Sequence, residues 1–415
     1  VARILLASFG SLGDLHPYIA IGVELQRRGH AATLATSEAH RDRVEAESLS
    51  FHPVRPNVDL NDRELLSYVM DARRGSERVV RYLAEAARES YEDTLDAARE
   101  ADLIVTHPVT FGAVVAAQKL AISWISTVLA PLSLISAYDP PVSPNAPLTH
   151  PLLALWPPLA KWVWQLARKQ TLSWVSPVQA LRRELGMAPA EHPLFEGSHS
   201  PAAVLALFSR CLAAPQPDWP PNTVVTGFPF YDHGEMDEEL LRFLRAGPPP
   251  VLFTLGSSAV GAAGSFYVDS LAAVTRLGCR AVFLTGTHPQ GLPPKLPEGV
   301  VTLPYASHGA IFPRSAAIVH QGGIGTTAQA MRSGRPQLVV PFAHDQFDNA
   351  ARVRRLGAAQ VVHRSAYTAG RAARVLGTLL QRRSYEQAAA AIGELVRRER
   401  GAECAADEIE RRLRS

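Results

Sequence analysis

Apolar residues in this chain come in short runs, each followed by a polar or glycine-bearing turn and then a helical period. The first run, residues 3–8, leads into a loop, FGSLGDLHP, at residues 9–17. A helix is expected from Pro17 to about Arg28, because proline suits a first helical turn and Gly29 suits a stop. Residues 32–36, 103–106 and 122–127 read as further short buried strands, with a helical pattern over 77–99 between them. Beyond Pro131 the alternation breaks. Pro140, Pro141, Pro144, Pro147, Pro157 and Pro158 mark an irregular excursion around Trp156, Trp162, Trp164 and Trp174. A second proline-rich stretch, 215–221, and the run Pro248-Pro249-Pro250 bracket a candidate linker. Strand-helix alternation restarts at 251–255, with strands near 281–284 and 300–302 and helices from Ala366 onward. Two such halves predict an α/β protein built from two doubly wound parallel sheets. The expected organisation is a first domain at 1–214, a linker at 215–250 and a second domain at 251–395. A C-terminal helix at 396–415 would pack back on the first domain.

The densest chemistry lies at 318–349, IVHQGGIGTTAQAMRSGRPQLVVPFAHDQFDN. A β-branched run delivers His320 into a turn of Gly322, Gly323 and Gly325, and Thr326 and Thr327 then open a helical pattern that stops at Gly334. A second strand, 338–340, ends at Pro341, just before Asp345 and Gln346. Bare backbone N–H groups at a helix N-terminus suit a phosphate. A cationic or hydrogen-bonding His320 would add a donor for a diphosphate, and a carboxylate beside an amide can hold sugar hydroxyls. Glycines alone would equally suit a tight βαβ turn. His320 and the Asp345-Gln346 pair on successive strand ends favour a binding site, since ligands of open α/β sheets sit outside the carboxyl ends of strands.

Other strand ends carry related residues. FTLGSS at 253–258 ends in Gly256, Ser257 and Ser258, a second candidate phosphate contact with Ser257 as its hydroxyl. Tyr305 lies fifteen residues before His320 and can stack on a nucleobase, while the backbone at Ala306 reads the ring edge. In the first loop Gly10 and Gly13 allow close approach to a ligand. Asp14 or His16 there can take a proton from an acceptor hydroxyl, or can simply cap the following helix. His107 ends the strand 103–106 and projects from the same sheet edge as Asp14, so the two are a candidate acid–base pair.

Composition narrows the class. At 415 residues the chain is long for one core, and a net charge of +3 calls for no nucleic-acid or acidic partner. Cys211, Cys279 and Cys404 have no metal-site spacing and leave one thiol over, which favours a reducing cytoplasm. The chain opens directly on a strand pattern, without a charged-then-apolar leader. Basic residues are nearly all Arg, a trait of GC-rich bacterial genomes. The uncharged run 120–138 holds serines and Pro131 and reads as a strand and loop, not a spanning helix. The Trp-rich stretch suits an apolar acceptor pocket, a core for inserted helices, or a surface in peripheral contact with a membrane.

With these residues in view, the whole chain resembles the GT-B glycosyltransferases of the large family that includes plant and antibiotic enzymes. It looks most like bacterial rhamnosyltransferases of the rhamnolipid type. The resemblance rests on FGSLGDLHP, PQPDWP, TGFPFYD, FTLGSS, HQGGIGTT and AHDQFDN. It implies a GT-B fold of two Rossmann-like domains facing a cleft, the first holding the acceptor and the second a nucleotide sugar. By resemblance Tyr305 takes the place of a base-stacking Trp, His320 contacts the diphosphate, and Gly322, Gly323 and Thr326 line it. Asp345 and Gln346 would hold the sugar, and Asp14 stands at the catalytic-base position. Three departures stand out. Plant members place His where Asp14 stands and an Asp near the position of His107, so which residue takes the proton stays open. Ala328 replaces their ribose-binding Glu, and Tyr305 does not separate uracil from thymine. The activity implied is an inverting, metal-independent O-glycosyltransferase needing no cofactor beyond a UDP- or dTDP-sugar. It would move glucose or rhamnose to a hydroxyl of a small lipophilic acceptor, phenolic, flavonoid-like or hydroxy-fatty. The alternatives are a GT-B sugar-nucleotide epimerase and a non-catalytic nucleotide-sugar-binding partner. Oligomeric state is left open.

Overall fold

The computed structural model describes residues 1–58, 62–143, 149–232, 234, 236–286 and 291–414. Pro144 and Pro147 of the proline-rich excursion lie outside the described residues. The chain forms two compact units. One comprises Val1–Leu60, Arg73–Tyr231 and Arg400–Ser415, and the other Asn61–Ala72 and Asp232–Glu399.

The first unit is built on seven parallel strands: β1 (Arg3–Ala7), β2 (Ala31–Thr36), β3 (Ser50–Pro53), β4 (Leu103–Thr106), β5 (Ser123–Val128), β6 (Val204–Ala206) and β7 (Thr223–Val225). Their order in the sheet is β3-β2-β1-β4-β5-β6-β7. Ile4, Leu5 and Leu6 of β1 and Leu103, Ile104 and Val105 of β4 are all buried, as strands covered by helices on both faces must be. Each such side chain contributes about 1.5–3 kcal/mol relative to leaving it in water. The register pairs Ala7 with Thr106, so the loops after β1 and β4 leave the sheet side by side. Strand order reverses between these two strands, which makes their carboxyl ends a topological switch point.

The first helix is Leu12–Arg27, five residues longer at its start than the proline suggested. Ser11 caps it, and Pro17 sits inside, where it forgoes one ladder bond of the second turn. Asp14 and His16 therefore stand on a helix rather than in a loop. The helix after β4 starts at Phe111, leaving His107 and Pro108 in the connecting turn. Helix Gly401–Leu413 packs on the first helix within this unit. Arg28 reaches Asp407 at 2.6 Å and His30 reaches Glu410 at 3.1 Å. In the Trp-rich excursion, helices His150–Leu155 and Pro157–Thr171 leave Trp156 and Trp162 exposed, so these two indoles are not core for inserted helices.

The second unit has six parallel strands: β8 (Val251–Thr254), β9 (Ala281–Leu284), β10 (Val300–Leu303), β11 (Ala317–His320), β12 (Gln337–Val339) and β13 (Ala359–Val361). Their order is β10-β9-β8-β11-β12-β13, with the reversal between β8 and β11. Phe253 stacks on Phe283 with centroids 4.6 Å apart, and Phe266 packs edge-on against both Phe253 and Phe342. Within the stretch expected as linker, β7 pairs with β6 in the first unit and helix Glu238–Arg245 belongs to the second.

Candidate active site

Asp14 is the third residue of the first helix, and its carboxylate has two engagements. The Ser11 N–H donates to Oδ2 at 2.8 Å and the Ser11 hydroxyl at 3.2 Å, so one oxygen serves the helix cap. The other, Oδ1, faces His107 Nε2 at 3.5 Å. The capping and catalytic readings of Asp14 are thus compatible, each using its own oxygen. Gly10 makes this possible. Its φ is +130°, and a Cβ there would lie 2.4 Å from Asp14 Oδ2. Burial raises the Asp14 pKa, but the bonds and charge interaction with His107 and the Ser11 donors outweigh it and hold the carboxyl below its usual value. The side chain of Asp14 is 32% exposed against 8% for His107, so a hydroxyl approaching from solvent meets Asp14 first.

The His107 tautomer follows from its neighbours. The Val109 N–H donates to Nδ1 at 3.4 Å, which leaves the proton of the neutral ring on Nε2, pointing at Asp14. In that form His107 has no basic nitrogen to offer and acts by holding and polarising the carboxylate. His16 is two residues farther along the helix, and its ring packs against Tyr231, 5.1 Å between centroids. The fold therefore brings Asp14 and His107 together and turns His16 to a different neighbour.

In the second unit, β11 ends at His320, paired with Thr254 of β8 and Val339 of β12. His320 is fully buried. The Gly322 N–H donates to its Nδ1 at 3.1 Å, which places the proton on Nε2, 3.0 Å from the side-chain Oε1 of Gln337. Burial pushes its pKa down to about 4, against a smaller opposing effect of the Gln337 bond. The cationic alternative expected for His320 is thereby corrected, and its hydrogen bonds are made inside the protein. Near neutral pH the ring is uncharged, and both nitrogens are spent on shaping the turn. His308 beside it is likewise pushed to about 4, by burial and then by His320.

What the turn offers an anion is backbone. Helix Ile324–Ser333 starts at its N-cap Gly323, and its first internal bond runs from the Thr327 N–H to the Gly323 carbonyl. The amides of Ile324, Gly325 and Thr326 lie ahead of that ladder and point out of the helix N-terminus. Gly322 has φ +90°, and a Cβ would press on Val339 at 2.8 Å and on the Gln346 carbonyl at 3.0 Å. Across the switch point, Gly256 (φ +62°) lies so close to Gln321 that a Cβ would meet its Nε2 at 2.4 Å. Helix Gly256–Ala259, carrying Ser257, is thus set directly beside the turn. Gln321 Oε1, Thr327 Oγ1 and Asn349 Oδ1 are buried there with no hydrogen-bond partner among the described residues, which fits a polar ligand at this place.

Asp345 and Gln346 begin helix Gln346–Arg355, but they differ in role. Gln346 is buried, and its Oε1 accepts from the Phe342 and Ala343 N–H groups at 2.8 and 3.1 Å, closing the loop that His344 bends with φ +58°. Asp345 is half-buried and accepts from Asn349 at 2.7 Å, while Asn349 also donates to the Gly322 carbonyl at 3.0 Å. One amide side chain therefore ties the loop at Asp345 to the glycine turn. Tyr305 follows β10 and is 48% exposed; Ala306 behind it is buried.

Comparison with known proteins then decides the family. Residues 4–126 match the glycosyltransferase family 28 N-terminal domain, and residues 271–414 match the erythromycin biosynthesis protein CIII-like C-terminal domain. The O-mycaminosyltylonolide 6-deoxyallosyltransferase of Streptomyces fradiae is 33% identical over 368 residues, covering 86% of this chain and 84% of its own. The chain is a GT-B nucleotide-sugar glycosyltransferase. A sterol 3-beta-glucosyltransferase of Arabidopsis thaliana is 26% identical over 83% of this chain, which spans 57% of that longer protein. Among solved structures, the kitacinnamycin glycotransferase superposes with TM-score 0.74 at 21% identity, covering 99% of both chains. VinC, solved in complex with DTDP, gives 0.72 at 20% identity over 100% of both. The two parallel-sheet Rossmann-like units are those of the GT-B fold.

Several residues of this glycosyltransferase escaped sequence reasoning. Ser11 and Asn349 act through bonds that a motif does not show, and Gln337 and His308 become relevant only because they pack beside His320. His308 had a local signal, standing three residues after Tyr305 at the start of a short helix.

Proposed function

We propose that this glycosyltransferase moves a hexose, glucose or rhamnose, from a UDP- or dTDP-sugar to a hydroxyl of a small lipophilic acceptor, with inversion and without a metal ion. The observation that carries the chemistry is the Asp14–His107 contact at the switch point of the first sheet. Asp14 accepts the proton of the attacking hydroxyl as the bond to the anomeric carbon forms, and His107 Nε2–H steadies the carboxylate. The hydroxyl attacks from the face opposite the diphosphate, which leaves with the negative charge. The amides at the start of helix Ile324–Ser333 and Ser257 meet that charge, while neutral His320 holds the turn in shape. Tyr305 stacks on the base, and Asp345 orients the sugar hydroxyls. The acceptor class is supported by relatives named for a tylonolide derivative and for sterols.

A mass-spectrometric screen of UDP-glucose and dTDP-rhamnose against phenolic and hydroxy-fatty acceptors tests the reading, with the product anomer assigned by NMR. Transfer with inverted configuration, undiminished by a chelator, is the expected result. Donor turnover without any acceptor would identify an epimerase instead. Nucleotide binding with neither turnover nor transfer would identify a partner subunit.

A further inference from the structure

We propose that helices His150–Leu155 and Pro157–Thr171 form a docking surface for an anionic lipid bilayer. The outer face of this pair is apolar and is not covered by any of the described residues. Leu155 is 83% exposed and Trp162 58%, with Leu152, Trp156, Leu166 and Leu172 also exposed. Trp162 and Leu166 are four residues apart and so lie on one stripe of the second helix, which Pro158 extends by a turn toward its start. Ala160 and Thr171 are the buried side of that helix, so the exposed stripe is its outward face. An apolar face of this size on a protein surface marks an interaction site.

Charge selects the partner. Residues 140–183 contain no Asp or Glu, in a chain with 39 acidic residues among 415. Two of the chain's four lysines, Lys161 and Lys169, stand exposed on this helix, beside the apolar stripe. Arg168 is half-buried and committed to Glu196 at 2.7 Å, whereas Lys169 is exposed and the Lys161 ammonium lies 5.5 Å from the centroid of the exposed Tyr138 ring, so the lysines are the outward charges. Long lysine stems lie along an apolar surface while their ammonium groups reach a layer of phosphates. Indole rings favour the interfacial level of a bilayer. A second copy of the chain on a two-fold axis would instead set this cationic face against itself. Among the described residues no helix is long and apolar enough to cross a membrane, so this one would lie in the interface plane. Docking would hold the first unit where a lipophilic acceptor concentrates. That consequence alone rests on the acceptor class proposed above; the docking does not.

The test is co-sedimentation of the full chain with phosphatidylcholine vesicles, with and without phosphatidylglycerol. Binding is expected only with the anionic lipid and should weaken as salt rises. Trp162→Ser with Leu166→Ser should lower it by about tenfold or more, as loss of buried apolar area does. Lys161→Glu with Lys169→Glu should lower it on the order of tenfold or more. Circular dichroism and free dTDP binding check that the variants fold. In the wild-type protein, brominated lipids should quench tryptophan fluorescence, and Trp156→Phe with Trp162→Phe should lose most of the quenching. Absence of binding to either vesicle, or equal salt-insensitive binding to both, overturns the proposal. So does a concentration-dependent dimer that Trp162→Ser dissolves while vesicles do not bind.

Discussion

Replacing His320 by Asn separates the two things its ring does. Asn places its carbonyl oxygen near the position of Nδ1, so the Gly322 N–H keeps an acceptor. The Nε2–H donated to Gln337 is lost, leaving a buried carbonyl oxygen without its partner. At pH 7 that should cost about 1–3 kcal/mol. The dependence on pH runs the other way. The folded protein keeps His320 neutral down to about pH 4, whereas the unfolded chain takes up the proton near 6.5. The wild-type contribution is therefore complete above pH 6.5 and is lost as the pH falls from 6.5 to about 4. The loss amounts to about 3 kcal/mol, at ~1.4 kcal/mol for each pH unit separating the two values. His308, also held near 4 chiefly by burial, adds a loss of the same sign; its burial part is common to both proteins, and the part due to His320 is absent from the variant, which adds to the closing of the gap. Urea unfolding of wild type and His320→Asn, followed by circular dichroism from pH 7.5 to 4.5, should show a stability gap that closes on acidification. Free dTDP or UDP should still bind the variant within a few-fold at pH 7.5. Parallel stability curves would refute the buried neutral histidine. A loss of nucleotide affinity of about tenfold or more, from a folded variant, would show that the ring itself contacts the diphosphate.

Asp14→Asn should cut turnover by roughly 100-fold or more. His107→Ala should be comparably damaging and the double variant no worse, because the two act as a unit. Assays need a weakly acidic alcohol as acceptor, and multiplied losses in the double variant would separate the pair. Gly10→Ala should push the Asp14 carboxylate off its position and reproduce the Asp14→Asn loss while dTDP binding stays normal; wild-type turnover would contradict that geometry. Asp345→Ala should impair sugar transfer with free-nucleotide binding intact. Gln346→Ala should instead lower thermal stability, by about 1–3 kcal/mol, because its Oε1 closes the loop at Phe342 and Ala343. The reverse pattern, measured by calorimetry and product formation, would exchange the two roles.

Much of the fold was legible because the signals are local. Buried parallel strands read as continuous apolar runs, and β1, β4, β8, β9 and β11 fall where those runs do. Strands β3, β6, β7 and β13 were missed, since Ser50–Pro53, Val204–Ala206, Thr223–Val225 and Ala359–Val361 are short and become strands by pairing at or toward the sheet edges. The first helix was started too late because Pro17 outweighed the Ser11 cap, which works through a bond to Asp14 that only the folded turn provides. Glycines at 10, 256 and 322 were visible as sequence, but the side chains and backbone that forbid a Cβ at each come from neighbouring segments. The Asp14–His107 contact joins residues 93 apart, and it forms because parallel register sets the segments that follow β1 and β4 side by side. Ionisation was least legible of all. A histidine in a glycine turn reads as a cation or a hydrogen-bond donor beside a phosphate, and whether it carries charge depends on burial and on what each ring nitrogen meets. For His320 those are β11 deep in the sheet, the Gly322 amide and Gln337 on the next strand. Sequence sets which residues are near in the chain and which faces are apolar; charge state and partner depend on the dielectric and the neighbours that folding assembles.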